Sequence, residues 1–204
     1  MNSEAILDFW FGPTKDDPAE AMGRYSFWFN ADPETDESIQ SKFSVEVERA
    51  KAGVLPDWES KAQSWVALIV VLDQFPRNLY RGTRSAFELD PVAQKIAESG
   101  FARHLDAGLG VSEYLFCLMP FQHAEDIKLQ REAVDRGEAL RGQAPHEWRA
   151  VIETFQGSAK KHLSIIQEFG RFPHRNKILG RTSTKAETIF LSRGTGSFGQ
   201  APRV

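Results

Sequence analysis

The chain has 204 residues and a mass of 23.0 kDa, with 41% apolar and 26% charged side chains. That balance is ordinary for a soluble globular protein and excludes a collagen, a long disordered chain and a disulfide scaffold. Charge is close to neutral overall at −3, yet residues 1–60 hold 5 basic and 13 acidic side chains while residues 160–204 hold 9 basic and 2 acidic. Two such ends either pack against each other or leave a basic end to take an anion. No RNA- or DNA-reading motif accompanies the basic end, so no nucleic-acid partner is expected.

In chain order, the punctuation is helical. Expected helices cover 3–11, 19–29, 33–52, 60–75, 90–106, 112–136, 146–169 and 184–192. Asp17-Pro18, Asp32-Pro33 and Asp90-Pro91 each join a capping carboxylate to a proline suited to a first helical turn. Ile39, Phe43 and Val47 share one face of the helix at 33–52. The run from Trp65 to Leu72 is apolar without periodicity and reads as a helix buried on most sides. At eight residues it is far short of the ~20 needed to cross a membrane, so no membrane partner is expected. Pro76 disfavours helix at Phe75 and is expected to turn the chain out of that helix. Pro120 is expected to start, kink or divide its helix. The clearest helix carries Trp148, Val151, Ile152, Phe155, Ala159, Leu163, Ile166 and Phe169 as one stripe. Thr184 to Glu187 has the spacing of a capping box. The expectation is one all-α domain over residues 1–192, with 193–204 a loose tail. The opening Met1-Asn2-Ser3-Glu4 lacks the basic region and apolar run of a signal peptide, and Cys117 is the single cysteine. A cytoplasmic protein is therefore expected.

Three clusters could carry chemistry. Asp73, Gln74, Arg77, Asn78 and Arg81 gather where a core helix meets a Phe-Pro dipeptide. Arg171, His174, Arg175, Asn176 and Arg181 gather around a second Phe-Pro, with no acid among them until Glu187. Guanidinium forks suit carboxylate or phosphate, and Arg181 precedes a helix start. The two segments echo each other, each running Phe-Pro, Arg-Asn, then Gly and Thr. Equally, these arginines and asparagines could tie down loops, with Asp73 simply paired to Arg77. The third cluster is His123 and Asp126, neighbours at i,i+3 if the helix runs through them. A carboxylate beside a histidine can tune it as a general base. A satisfied core or interface histidine is the competing reading, and the same holds for His162 in the long stripe. The aromatic groups Phe9-Trp10-Phe11 and Phe27-Trp28-Phe29 read as helix–helix core. No spacing indicates a metal site or a cofactor, and Cys117 lies in an apolar run unsuited to a reactive thiolate.

Taken together, Ile6-Leu7-Asp8-Phe9-Trp10-Phe11-Gly12, Trp28-Phe29, Leu72 to Asn78, Pro120 to Asp126 and Phe169 to Asn176 resemble the bacterial family filed as domain of unknown function 924. The resemblance covers roughly residues 4–192. It implies an all-α, tetratricopeptide-like array of antiparallel helical hairpins, about eight to ten helices. It implies no activity.

The expected function is a binding module whose two Phe-Pro segments hold a small anionic ligand or an acidic peptide. The rival is a hydrolase or lyase on an anionic metabolite. There His123 is the general base, Asp126 or Asp73 its orienting partner, and the arginines a charge clamp. A protein-interaction scaffold is the third reading. The sharper expectation is that both Phe-Pro segments approach each other and His123 with Asp126.

Overall fold

The computed structural model describes residues 2–15, 17–54 and 57–194. The tail expected over 193–204 lies outside the described residues from 195 onward. Among the described residues the regular elements are all helical. They are α1 (Ser3–Trp10), α2 (Pro18–Gly23), α3 (Tyr25–Phe29), α4 (Pro33–Lys51), α5 (Ala62–Ile69), α6 (Phe75–Leu79), α7 (Asp90–Ala102), α8 (Val111–Cys117), α9 (Met119–Gln122), α10 (Ile127–Gln143), α11 (Arg149–Phe169), α12 (Asn176–Leu179) and α13 (Lys185–Ser192). No helix among the described residues is long and apolar enough to cross a membrane.

Caps explain most boundaries. Asp17 accepts from the amides of Ala19 and Glu20, and Asp32 from those of Glu34 and Thr35. Thr184 and Glu187 cap α13 reciprocally, and Gly170 closes α11 in the left-handed region at φ 68°. Asp90 departs from the expectation. Leu89 takes the cap position, and the Asp90 carboxylate serves two arginines instead.

The expected helix at 112–136 is divided at Leu118 and again over 123–126 into α8, α9 and α10, with Pro120 in the first turn of α9. The helix through 60–75 does not end at Pro76. A π turn over Val70–Gln74 joins α5 to α6, with the Phe75 amide donating to the Val70 carbonyl. Pro76 then sits in the first turn of α6, directly after the wider π turn.

The α5 segment and π turn form the centre of the molecule, with Trp65 to Leu72 all within 2% of full burial. Trp65 donates its indole N–H to the Ile96 carbonyl at 2.9 Å and lies over Gly100 of α7. Around this axis Trp10, Trp28, Phe75, Phe116 and Phe155 interlock edge to face. The long helices α10 and α11 run antiparallel, as the pairings Arg141 with Glu153, Glu138 with Lys160, and Val134 with Gln156 require. The basic C-terminal part meets acids well outside the first sixty residues, as in Arg175 with Asp90 and Arg181 with Glu125.

Candidate functional site

The π turn sets the site. Its extra residue places Asp73, fully buried, and Gln74 side by side at the inner end of α6. Such turns recur at functional positions because they displace side chains from the ordinary helical stripe. Asp73 accepts a hydrogen bond from the Gln74 amide. His123 approaches the same carboxylate, Nδ1 standing 2.8 Å from Oδ1 and 2.9 Å from Oδ2. Arg77 reaches Oδ1 more distantly, at 3.4 Å.

His123 is held by a link rather than a helix. It follows α9, and the next helix begins only at Ile127, capped by Asp126. The Gln130 amide straps this link by donating to the Gln122 and Ala124 carbonyls at 2.6 and 2.8 Å. The expected helical pairing of His123 with Asp126 is therefore corrected. Asp126 turns back onto the amides of Lys128 and Leu129, and the carboxylate on His123 is Asp73.

The two Phe-Pro segments converge. Arg77 donates to Asp90 Oδ1 at 2.7 Å and Arg175 to Asp90 Oδ2 at 3.0 Å. Arg175 also donates to the His123 carbonyl at 3.1 Å, stacked between the rings of Phe87 and Phe172. Arg81 and Asn78 both bind the buried carboxylate of Asp36, with 2.9 Å contacts to Oδ1. The other arginines serve packing contacts. Arg171 pairs with Glu187, and Arg181 with Glu125 and Asn176. Asn176 also donates to Ser183. The α13 start is thus closed by Thr184 and Glu187.

Beside the dyad lies a cavity of about 320 Å³. Its polar lining is Gln74, Arg77, Asn78, Arg81, Gln122, His123, Ser158 and His162. Its apolar lining is Tyr25, Trp28, Phe29, Met119 and Phe155, with Asn30 beside them. Of the expected ligand-binding residues, Gln74, Arg77, Asn78 and Arg81 line this cavity. Arg171, His174, Arg175, Asn176 and Arg181 are not among its lining residues, and Arg175 lines a separate cleft with Asp90, Glu125 and Asp126. The aromatic lining and His162 went unrecognised in the sequence. Trp28 and Phe29 read there as core, and His162 as one member of an apolar stripe.

Burial works to raise the Asp73 carboxyl, but the neighbouring His123 ring and Arg77 guanidinium outweigh it and hold the group down to about 2. His123 is pushed below its ordinary value by burial and then by Arg77, against the pull of Asp73. His162, 6.0 Å from His123 ring to ring, is lowered to about 3, chiefly by burial. At neutral pH the dyad is thus an anionic carboxylate and a neutral imidazole. With Nδ1 donating to Asp73, Nε2 carries the ring's lone pair. Among the described residues no group of three or more His, Cys, Asp or Glu is placed to hold a metal ion. The Cys117 thiol is buried and pushed well up by that burial.

No curated protein matches the chain. A solved structure of a protein of unknown function, ATU0120 from Agrobacterium tumefaciens, is similar at 32% identity and a TM-score of 0.77, covering 94% of this chain and 97% of that one. The family model described as "Bacterial protein of unknown function (DUF924)" matches residues 6–195. The segments that build the dyad and both Phe-Pro turns all fall inside that match, and the chain belongs to this family.

Proposed function

We propose that the protein is an acid–base enzyme, a hydrolase or lyase, acting on a small molecule bound beside His123. The observation that supports this is the His123–Asp73 pair at the wall of the cavity. A neutral imidazole whose second nitrogen is unprotonated can take a proton from water or from a bound substrate. The buried carboxylate fixes the tautomer and stabilises the imidazolium that forms. The side-chain hydrogen-bond partner of His123 is the Asp73 carboxylate, and no hydroxyl or thiol is hydrogen-bonded to its ring among the described residues. That favours direct proton transfer over a covalent enzyme intermediate. Gln74, Arg77, Asn78 and Arg81 are the binding groups of this reading. We read the helical hairpins as a tetratricopeptide-like scaffold and, from the single buried thiol, place the protein in the cytoplasm.

A binding module is the second reading, favoured by the connected aromatic lining of Tyr25, Trp28, Phe29 and Phe155. A thermal-shift screen of small metabolites, followed by turnover assays on each hit, decides between them. A ligand at ~100 times its dissociation constant adds about 2.7 kcal/mol, a readily visible shift. A hit that wild type converts and His123→Gln binds but does not convert supports the enzyme. A hit that neither converts leaves the binding module.

A further inference from the structure

We infer that the ligand of this cavity is an amphipathic carbonyl compound, with one flat apolar body and one carboxylate or carboxamide head, and not a phosphorylated or dicarboxylic metabolite. This deepens the proposed function and rests on reading the cavity as the working site.

Length and polarity come from α11. Phe155, Ser158 and His162 occur at spacings of three and four and all line the cavity. Seven residues of helix span about 10 Å. One end of that span touches the aromatic cluster, since Phe155 contacts Tyr25, Trp28 and Phe29. The other end meets His123. Asn30 is exposed and Gln74 and Gln122 are buried, with Tyr25, Phe29, Arg77 and His123 half-buried. We take the side of Asn30 as the mouth and the side of Gln74 and Gln122 as the inner end. About 10 Å fits one ring or a short acyl chain followed by a head group.

The head is chosen by charge. No carboxylate is among the lining residues, so donors dominate the inner end. Yet its guanidinium groups are already matched. Arg81 is neutralised by Asp36, and Arg77 and Arg175 share Asp73 and Asp90. Three buried cations against three buried anions leave no surplus to receive a dianion, whose desolvation would go uncompensated. A neutral amide needs only the hydrogen bonds of the lining side-chain amides and of the histidine lone pairs, which accept its N–H, and a carboxylate brings one charge where a dianion brings two. Gln122 lines the cavity, and its buried Oε1 has no hydrogen-bond partner among the described residues. The fold does not fix which way this amide turns, so it can offer oxygen or N–H to a carboxamide.

The test measures binding of phenylacetate, phenylacetamide, succinate and inorganic phosphate to the full chain by calorimetry, without requiring turnover. Phenylacetate or phenylacetamide should bind at least about tenfold tighter than succinate or phosphate, and Phe29→Ala should weaken them by about tenfold. Phosphate or succinate binding as tightly, no binding by either phenyl compound, or binding indifferent to Phe29→Ala overturns the inference. Phenyl-compound binding that survives in His123→Gln, with no conversion of any amide or ester by wild type, removes the enzymatic reading and leaves this one standing.

Discussion

Arg77 and Arg175 grip opposite oxygens of a single carboxylate, at 2.7 and 3.0 Å, so that Asp90 joins the two Phe-Pro segments of the chain. Arg77 continues to Asp73 and Arg175 to the His123 carbonyl, which makes Asp90 the buttress behind both halves of the dyad. Replacing it with Asn leaves two buried guanidinium groups short of one counter-charge. Loss of one partner from a buried ion pair costs about 3–5 kcal/mol. Chemical denaturation of Asp90→Asn should show a loss of that size, and a change below about 1 kcal/mol would mean that the pairs are solvated and weak.

The dyad makes a spectroscopic prediction that needs no substrate. Nitrogen chemical shifts of His123 should show a neutral ring at pH 7, protonated at Nδ1 and unprotonated at Nε2. In Asp73→Asn the favourable pull of the carboxylate is gone while burial and Arg77 remain, so the ring should titrate still lower. If a substrate is found, that variant should lose activity on the order of 10²–10⁴-fold. A ring protonated at Nε2 in the wild type would contradict the assigned role.

Local features were legible in the sequence because their physics is local. The Asp17 and Asp32 caps, the Thr184 capping box and the α11 stripe each depend on residues within a few positions of one another. The Phe-Pro echo could be read, but not its meaning, because Asp90 lies far from Arg175 and packs a cap-like Asp-Pro signal into a tertiary role. The reading of His123 with Asp126 failed because it assumed an unbroken helix beyond Pro120. His123 finds Asp73 fifty positions away, across α5 and α9, and no spacing rule reaches that far. Arg81 with Asp36 and Arg181 with Glu125 were hidden for the same reason, which is why the arginines looked more available than they are.

Gly100 tests the packing that supports the π turn. A Cβ built there would lie 2.0 Å from the Trp65 ring, which is fully buried and anchored to the Ile96 carbonyl. The ring cannot retreat without breaking that hydrogen bond. Gly100→Ala should therefore destabilise by about 1–3 kcal/mol through overpacking, despite alanine's better helix propensity. Denaturant titration checks it, and a gain in stability would show that α7 can shift freely.

Acid should expose the buried histidines before it reaches the carboxylates. His162 and His174 are both held down to about 3 from an ordinary 6.5, chiefly by burial, with the neighbouring charges of His123 and Arg175 next in importance. Between those values the unfolded chain binds more protons than the folded one. The stability they contribute is fully present above about pH 6.5 and is lost as pH falls toward 3. Asp73 and Glu187, both held down to about 2, act the same way only below their ordinary values near 4. A decline from about pH 6.5 to 4.5 is thus the histidines' own, with a slope approaching about 1.4 kcal/mol per pH unit for each. Urea denaturation across that interval should show it, and His162→Gln should flatten the slope by about one proton. A stability unchanged down to pH 4.5 would mean that both rings take up protons in the folded state, and with them that His162 is not the neutral wall of the cavity that the site requires.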